Sequence, residues 1–162
     1  MTIILDMGGV LMQHNMPECI RRFCEMLGEE GMANTLGMKV NAEGLPDSLM
    51  EKFECGLVTT EEFVHTILAN AKEGTTEQQI IDAWNTMHAG IPLERIEQIK
   101  RWKKLGHHLL LLSNNNALHW EDIHAHYDMS IFDQCFASHL VHSHKPNKPI
   151  YEHIQKYLID NQ

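Results

Sequence analysis

Apolar residues follow two different patterns along the chain. Largely apolar runs of strand length occupy residues 2–5 and 107–112, and a less regular run occupies residues 131–137. Runs that are apolar on both faces are typical of strands in a parallel sheet covered by helices. Between the first two runs, apolar residues recur at three- and four-residue spacing, which predicts helices. The chain is therefore predicted to have an α/β fold.

Capping patterns indicate where these helices begin, because a capping side chain accepts a hydrogen bond from the backbone three residues later. Gly28 is expected to end the first helix. After residue 145, the stripe of Ile150, Ile154 and Leu158 predicts a last helix. Three capping pairs precede segments of helical period: Asn15 with Glu18, Thr59 with Glu62, and Thr75 with Gln78.

The helical segment between the first two strands is too long for an ordinary crossover connection. We therefore predict a Rossmann-like parallel sheet core formed by residues 1–13 and 89–162. An all-helical cap subdomain, residues 14–88, is inserted into this core. A length of 162 residues fits one compact domain with such an insertion.

Charge and composition exclude some partners. The net charge of -9 argues against nucleic acid or an anionic membrane as the main partner. A small anionic substrate still fits, because the local field in a cleft can oppose the net charge. The longest apolar run, residues 109–112, is too short to cross a bilayer. The four cysteines form no C-x-x-C pair and no signal peptide precedes them, so we expect reduced thiols and a cytoplasmic protein.

Histidine occurs 12 times, and six of these residues form two short clusters. One interpretation is a transition-metal site. The alternative is polar loop and helix surface, which we favour because a H-x-H spacing is a weak signal by itself. The clusters contain His119, His124 and His126, and His139, His142 and His144.

The first apolar run ends in a carboxylate, Asp6, followed by Gly8 and Gly9. Ligands bind at the carboxyl ends of strands in open α/β folds. Glycines at such a position let backbone N–H groups approach an anion closely. Asp6 is thus a candidate nucleophile toward phosphorus. The simpler alternative is a turn aspartate that caps the next segment.

Two further polar groups follow the later strands. Ser113 and Asn114 come directly after the second strand, where a hydroxyl and backbone N–H groups can bind phosphate oxygens. Lys145 follows the third strand, where an ammonium group can pair with a carboxylate and a phosphoryl group. The alternatives are a capped turn and a solvated surface lysine.

Taken in this order, the three segments resemble the first three motifs of the haloacid dehalogenase-like (HAD) superfamily. The segments are residues 3–11, 110–114 and 145–151. Residues 53–56 and 60–63 are similar to a recurring segment of the helical cap that this family often inserts. The amino-acid sequences of residues 112–119 and 145–151 resemble the corresponding segments of glucose-1-phosphatase-like members.

The resemblance implies a Mg²⁺-dependent phosphomonoester hydrolase that acts on a small phosphorylated metabolite, such as a sugar phosphate. Asp6 is then the nucleophile that forms an aspartyl-phosphate, and Lys145 neutralises charge. Gly8, Gly9, Ser113 and Asn114 are then the phosphate-binding residues. By the same resemblance, Asp6 and the backbone carbonyl of Gly8 hold Mg²⁺.

The chain departs from the family pattern at two places. Gly8 stands where the family has an acidic general acid and base, so water, the substrate or another side chain, such as His14, must protonate the leaving oxygen. The fourth, acidic motif is absent, because the helical period of Ile150 continues through residues 157–160. We therefore expect the C-terminal part of the core to be missing. Reduced burial of Ile150, an exposed apolar edge and self-association are expected to follow.

Two alternatives to the phosphatase remain open. One is a dehalogenase, in which Asp6 attacks carbon and no metal is needed. The other is a truncated or degenerate protein that binds phosphate without turnover. Gly8 and the absent fourth motif motivate the second alternative.

Overall fold

The computed structural model describes residues 1–39 and 47–161. Residues 40–46 of the predicted cap and residue 162 of the predicted core lie outside this range. At the centre is a parallel sheet with the strand order β1-β2-β3. The strands are β1 (Thr2–Leu5), β2 (His108–Ser113) and β3 (Gln134–Ala137). The predicted α/β class and parallel sheet are confirmed.

The third strand is shorter than predicted. A 3₁₀ turn occupies Met129–Ile131, and pairing with β2 begins only at Gln134. Asp128 caps this turn by accepting a hydrogen bond from the backbone N–H of Ser130 at 3.0 Å. The local cap competes with strand pairing over these residues, because Asp side chains stabilise turns.

The described part of the chain contains eight helices. The helices are α1 (Met16–Leu36), α2 (Leu49–Glu54), α3 (Thr60–Leu68), α4 (Glu77–Asn85), α5 (Leu93–Lys104), α6 (Ala117–His126), α7 (Ser138–Val141) and α8 (Lys148–Asp160). Helix α1 continues past its predicted end, with a kink at Gly28.

Two of the three predicted capping pairs are confirmed. Asn15 caps α1, and Thr59 with Glu62 forms a reciprocal capping box at α3. The third prediction is wrong by one residue, because Thr76 and Gln79 form the box at α4. Thr75 is used differently: its hydroxyl donates to the carbonyl oxygen of Lys72 at 2.8 Å.

Helices α1 to α4 pack around a set of aromatic rings, which we call the helical cluster. Its rings are Phe23, Phe53, Phe63 and Trp84, each at most 1% exposed. Phe53 and Phe63 stack with their ring centroids 4.1 Å apart, and Trp84 meets Phe63 edge-on at 4.9 Å. Such pairs each add about 0.5–1.5 kcal/mol beyond the burial of their area.

The sheet is covered by helices on both faces, and strand β2 shows this best. Leu109 and Leu111 pack on one face against Ile123 of α6, while Leu110 and Leu112 pack on the other. Successive side chains of a strand point to opposite faces, so a fully buried strand is apolar throughout.

The last helix lies against the face formed by Leu110 and Leu112. Its residues Ile150 and Ile154 are 0% and 6% exposed. The expected loss of burial at Ile150 is therefore wrong, because β2 and Phe136 of β3 cover this helix. Residues 157–160 are helical, as the period predicts.

Strand β1 is the outer strand of the sheet and pairs only with β2 within the described residues. Ile4, in its centre, is 45% exposed. An open strand edge with an exposed apolar side chain is a template for association with another chain. Self-association thus stays a prediction.

Nowhere in residues 1–39 and 47–161 is a helix long and apolar enough to span a membrane.

The helical cluster and the sheet are joined by two antiparallel chain segments. Gln13 donates to the carbonyl oxygen of Gly90 at 2.9 Å and accepts from Ala89 at 2.8 Å. Asn15 donates to the carbonyl oxygen of Met87 at 2.8 Å. These hydrogen bonds define a narrow junction between the two parts.

Candidate active site

Asp6 lies at the carboxyl end of β1, where the strand enters a tight turn. The carbonyl oxygen of Met7 accepts hydrogen bonds from Leu11 at 2.9 Å and from Met12 at 2.8 Å, which closes the turn. Gly9 has a φ of 73°, a conformation that other residues adopt only at a cost. The Asp6 side chain is 37% exposed, so it remains accessible to a ligand.

Lys145 meets Asp6 directly, although 139 positions separate them in the sequence. Its Nζ lies 2.6 Å from Oδ2 of Asp6 and donates to the carbonyl oxygen of Leu112 at 3.0 Å. The other carboxylate oxygen, Oδ1, accepts from the backbone N–H of Met7 at 2.8 Å. The ammonium group therefore bridges the ends of β1 and β2.

The main chain of Lys145 is held by Asn114. Oδ1 of Asn114 accepts from the backbone N–H of Lys145 at 2.7 Å, and Nδ2 donates to its carbonyl oxygen at 3.0 Å. Sequence reasoning placed Asn114 among the phosphate-binding residues. In the structure its amide positions Lys145, so only the backbone N–H of Asn114 stays a predicted phosphate contact.

Ser113 ends strand β2 beside this pair, but its side chain is nearly enclosed. The residue is 1% exposed, and its hydroxyl donates to the carbonyl oxygen of Asn114 at 3.2 Å. Asn115, next in the loop, donates its backbone N–H to Oγ of Ser138 at 2.9 Å. Phosphate binding by Ser113, Gly8 and Gly9 stays a prediction.

His14 packs directly against Gly8 in the turn after the nucleophile candidate. A Cβ atom added at Gly8 would lie 2.7 Å from both Cε1 and Nε2 of the His14 ring. Real Cβ atoms essentially never approach heavy atoms that closely. Because Gly8 has no side chain, the turn leaves room for the imidazole ring of His14, which lies in the chain segment between β1 and α1.

A buried hydrogen-bonded unit connects the loop after β2 to the helical cluster. Nε1 of Trp84 donates to Oδ1 of Asn116 at 3.1 Å, and Nδ2 of Asn116 lies 3.1 Å from Nδ1 of His119. Nε2 of His119 lies 3.0 Å from the carbonyl oxygen of Trp84. These contacts assign Nε2 as the protonated nitrogen of a neutral ring.

His119 was expected on the surface, and that expectation is wrong, because the residue is 4% exposed. Burial, and to a smaller extent the nearby His88, lower the pKa of His119 to about 3. His124 and His126 are exposed, as expected. Within the described ranges, no three His, Cys, Asp or Glu side chains are grouped so that they could hold a metal ion.

Sequence reasoning also missed the connecting roles of Asn116 and Ser138. Oγ of Ser138 donates to the carbonyl oxygen of Glu54 or of Asn115, so it links the loop to α2. A signal existed for Asn116, because an Asn that precedes a helix is a preferred N-cap. No local pattern marks Ser138, since its partners lie in other segments.

The turn after β1 offers part of an oxygen ligand set for magnesium. Mg²⁺ takes one or two carboxylates, keeps several waters and often binds substrate phosphate oxygens. Asp6 supplies a partly exposed carboxylate, and Gly8 supplies a backbone carbonyl in the same turn. The chemistry of these donors fits a magnesium ion that shares its coordination with a bound phosphate.

Comparison by sequence gives no match: no known protein family's sequence profile and no curated protein matches this chain. Comparison of structures, in contrast, finds similar proteins. The HAD family enzyme BT-2542 from Bacteroides thetaiotaomicron, in complex with magnesium and inorganic phosphate, superposes with a TM-score of 0.80 at 23% identity. That match covers 96% of this chain and 77% of the enzyme.

A second similar structure is a predicted HAD-like family hydrolase from Porphyromonas gingivalis. Its TM-score is 0.78 at 27% identity, and the match covers 96% of this chain and 75% of the hydrolase. A magnesium complex of BT-2542 matches with a TM-score of 0.81 at 22% identity. The chain thus has the α/β fold of HAD family enzymes.

Proposed function

We propose that this chain is a HAD hydrolase that cleaves small phosphate monoesters, with Asp6 as the nucleophile. The observation that carries the proposal is the 2.6 Å contact between Asp6 and Lys145 at the shared rim of β1 and β2. A partly exposed carboxylate beside a positioned ammonium group is an arrangement that attracts a phosphoryl group. The magnesium and phosphate in the BT-2542 complex support the same chemistry.

In the proposed reaction, a carboxylate oxygen of Asp6 attacks phosphorus and forms an aspartyl-phosphate. Lys145 offsets the charge of the phosphoryl oxygens, while Asn114 holds its main chain and the carbonyl oxygen of Leu112 accepts from its ammonium group. Backbone N–H groups of Gly8 and of the loop at Ser113 would bind the remaining oxygens, whereas the N–H of Gly9 donates to the carbonyl oxygen of Met12 at 2.9 Å. Magnesium, held by Asp6 and the Gly8 carbonyl, would supply further neutralisation of charge.

We further propose that residues 14–88 act as a cap over a core of residues 1–13 and 89–162. The junction at Gln13 and Gly90 supports this division, because the two chain segments that connect the parts pair with each other there. A cap would select the organic part of the substrate and exclude water. A sugar phosphate, as in glucose-1-phosphatase-like proteins, is the substrate class we favour.

The four free cysteines fit a cytoplasmic location.

The test is release of inorganic phosphate from a panel of sugar phosphates and other small phosphate esters, with Mg²⁺ and with EDTA. We expect turnover that needs Mg²⁺ and that Asp6→Asn abolishes. Asp160→Asn is the matched control, since this exposed carboxylate lies at the end of α8. It should leave turnover unchanged.

Three results would contradict parts of the proposal. Turnover that survives in Asp6→Asn removes the nucleophile assignment. Halide release from a short haloacid without Mg²⁺ favours the dehalogenase alternative. Binding of inorganic phosphate, measured by calorimetry, without turnover of any ester favours the non-catalytic alternative.

A further inference from the structure

The ring of His14 occupies the space that a side chain at residue 8 would fill. Its Nε2 and Cε1 lie 2.7 Å from the position of a Cβ at Gly8. Gly8 follows Asp6 by two residues, and their Cα atoms are at most about 7 Å apart. The ring therefore lies against the turn that carries the nucleophile candidate.

The ring is placed by contacts outside the turn. The backbone of His14 forms a bridge with His88 across the junction. The two imidazole rings stack with centroids 6.5 Å apart and an angle of 11° between their planes. His14 itself is exposed, so its ring can contact a ligand above the turn.

The proposed reaction requires a group that stabilises the leaving oxygen. Lys145 is already engaged by Asp6 and by the carbonyl oxygen of Leu112. Gly8 has no side chain to contribute. An imidazole always carries at least one N–H, so His14 can donate a hydrogen bond in its neutral form.

We propose that His14 is a further catalytic residue, which donates an N–H hydrogen bond to the leaving oxygen of the phosphate ester. The inference rests on the proposed function. It assigns to the junction between the two parts of the molecule a direct role in the reaction. Donors aimed at a developing negative charge are worth about 10²–10³-fold in rate.

The step balances as follows. The Asp6 oxygen forms a bond to phosphorus, and the bond between phosphorus and the leaving oxygen breaks with its electron pair on that oxygen. His14 stabilises the resulting alkoxide, which takes a proton from a water molecule. The hydroxide so formed attacks the aspartyl-phosphate and releases hydrogen phosphate and the free carboxylate of Asp6. The sum is ester plus water to alcohol plus phosphate.

The experiment compares two substrates, because a weakly basic leaving group needs little help. We expect His14→Ala to lower kcat/KM for glycerol 2-phosphate by about 100-fold. For 4-nitrophenyl phosphate the same variant should lose less than about 3-fold, because its leaving oxygen develops little charge that needs stabilising. His14→Gln, which retains an N–H donor, should recover part of the glycerol 2-phosphate activity.

His153→Ala is the matched control, because His153 is an exposed histidine of α8. It should change neither substrate's kcat/KM. Equal losses on both substrates in His14→Ala would overturn the inference, as would no loss on either. If the unmodified chain hydrolyses neither substrate, the proposed function fails first and the role of His14 fails with it.

Discussion

The helical cluster and the sheet differ in how completely they enclose their residues. Trp84 and Phe63 in the helical cluster are both 0% exposed. On the outer strand of the sheet, Ile4 is 45% exposed and the Asp6 side chain 37%. The helical cluster is therefore closed, and the candidate chemistry lies at the open rim of the sheet, where a ligand can enter.

The two parts are nevertheless connected at the loop that follows β2. Asn116 of this loop accepts from Trp84 of the helical cluster, and Ser138 joins Asn115 to the carbonyl oxygen of Glu54. The loop that begins at Ser113 thus carries both a candidate phosphate site and the contacts to the helices. A movement of the helices would change the shape of the site through these contacts.

The largest stability effect is expected from Trp84→Ala, which should lower the free energy of unfolding by about 3–5 kcal/mol. The indole ring is fully buried, and its removal leaves a cavity beside the stacked rings of Phe53 and Phe63. Urea denaturation measures the loss. Leu57→Ala, at a residue that is 64% exposed, is the control and should stay within about 0.5 kcal/mol. A loss below about 1 kcal/mol for Trp84→Ala would show that the closed aromatic packing contributes little.

At the open rim, Lys145→Met should act on turnover rather than on folding. Removal of the ammonium group should lower kcat/KM by about 100-fold, or roughly 2.7 kcal/mol, because the phosphoryl charge is no longer offset. The free energy of unfolding should change by less than about 1 kcal/mol, since the ion pair is partly exposed. Lys148→Met, at an exposed lysine three residues later, should change neither quantity. A comparable loss in both variants would contradict a specific role for Lys145.

Acid should destabilise the protein through His119, between the two parts. Its pKa is about 3 in the folded state, where burial disfavours the charged ring, and about 6.5 when unfolded. Between these values the unfolded state binds one more proton, so stability falls as pH decreases from about 6.5 toward 3. The contribution of this one group approaches about 1.4 kcal/mol per pH unit.

Urea denaturation at several pH values measures that slope, and His119→Gln should reduce it. His124→Gln, at an exposed histidine of the same helix, is the control and should leave the slope unchanged. Because His119→Gln can also weaken folding, NMR titration of the unmodified protein provides an independent measurement. A ring that titrates near pH 6.5 would show that His119 is not enclosed.

The smallest effect tests a local signal in the helical part. Thr59→Ala should cost about 1 kcal/mol of stability, because the hydroxyl of Thr59 caps α3 by accepting from the backbone N–H of Glu62. Thr60→Ala is the matched control, because Thr60 is the first residue of that helix and not its cap. Equal effects of the two substitutions on the urea midpoint would show that the capping box is not the source.

Local signals explain which parts of the fold could be predicted. The run before Asp6 and the run that ends at Ser113 are strands, because their side chains are apolar on both faces. The box at Thr59 was found because its hydrogen bonds join residues three apart. The box at α4 was misplaced by one residue, because Thr75 and Thr76 are the same residue type. Only the contact of Thr75 with Lys72 distinguishes them.

The candidate site was predictable in its composition and in its position at the rim of the sheet, but not in all of its individual contacts. Asp6 and Lys145 each follow a strand, and the carboxyl ends of neighbouring parallel strands meet at one rim. Asn114 was predicted to bind phosphate, and no local pattern showed that its side-chain amide holds the main chain of Lys145. The burial of His119 was missed because its neighbours come from α4, far away in the sequence.

The sequence by itself therefore determined the first two strands, most helix starts and the residue types at the rim, because these depend on hydrogen bonds and side-chain patterns within a few residues. Only the tertiary structure decided that Lys145 contacts Asp6, that the ring of His14 covers Gly8, and which groups Asn114 and His119 bind. Those contacts join segments that are distant along the chain. Their geometry is fixed by packing of the whole molecule, which no local pattern contains.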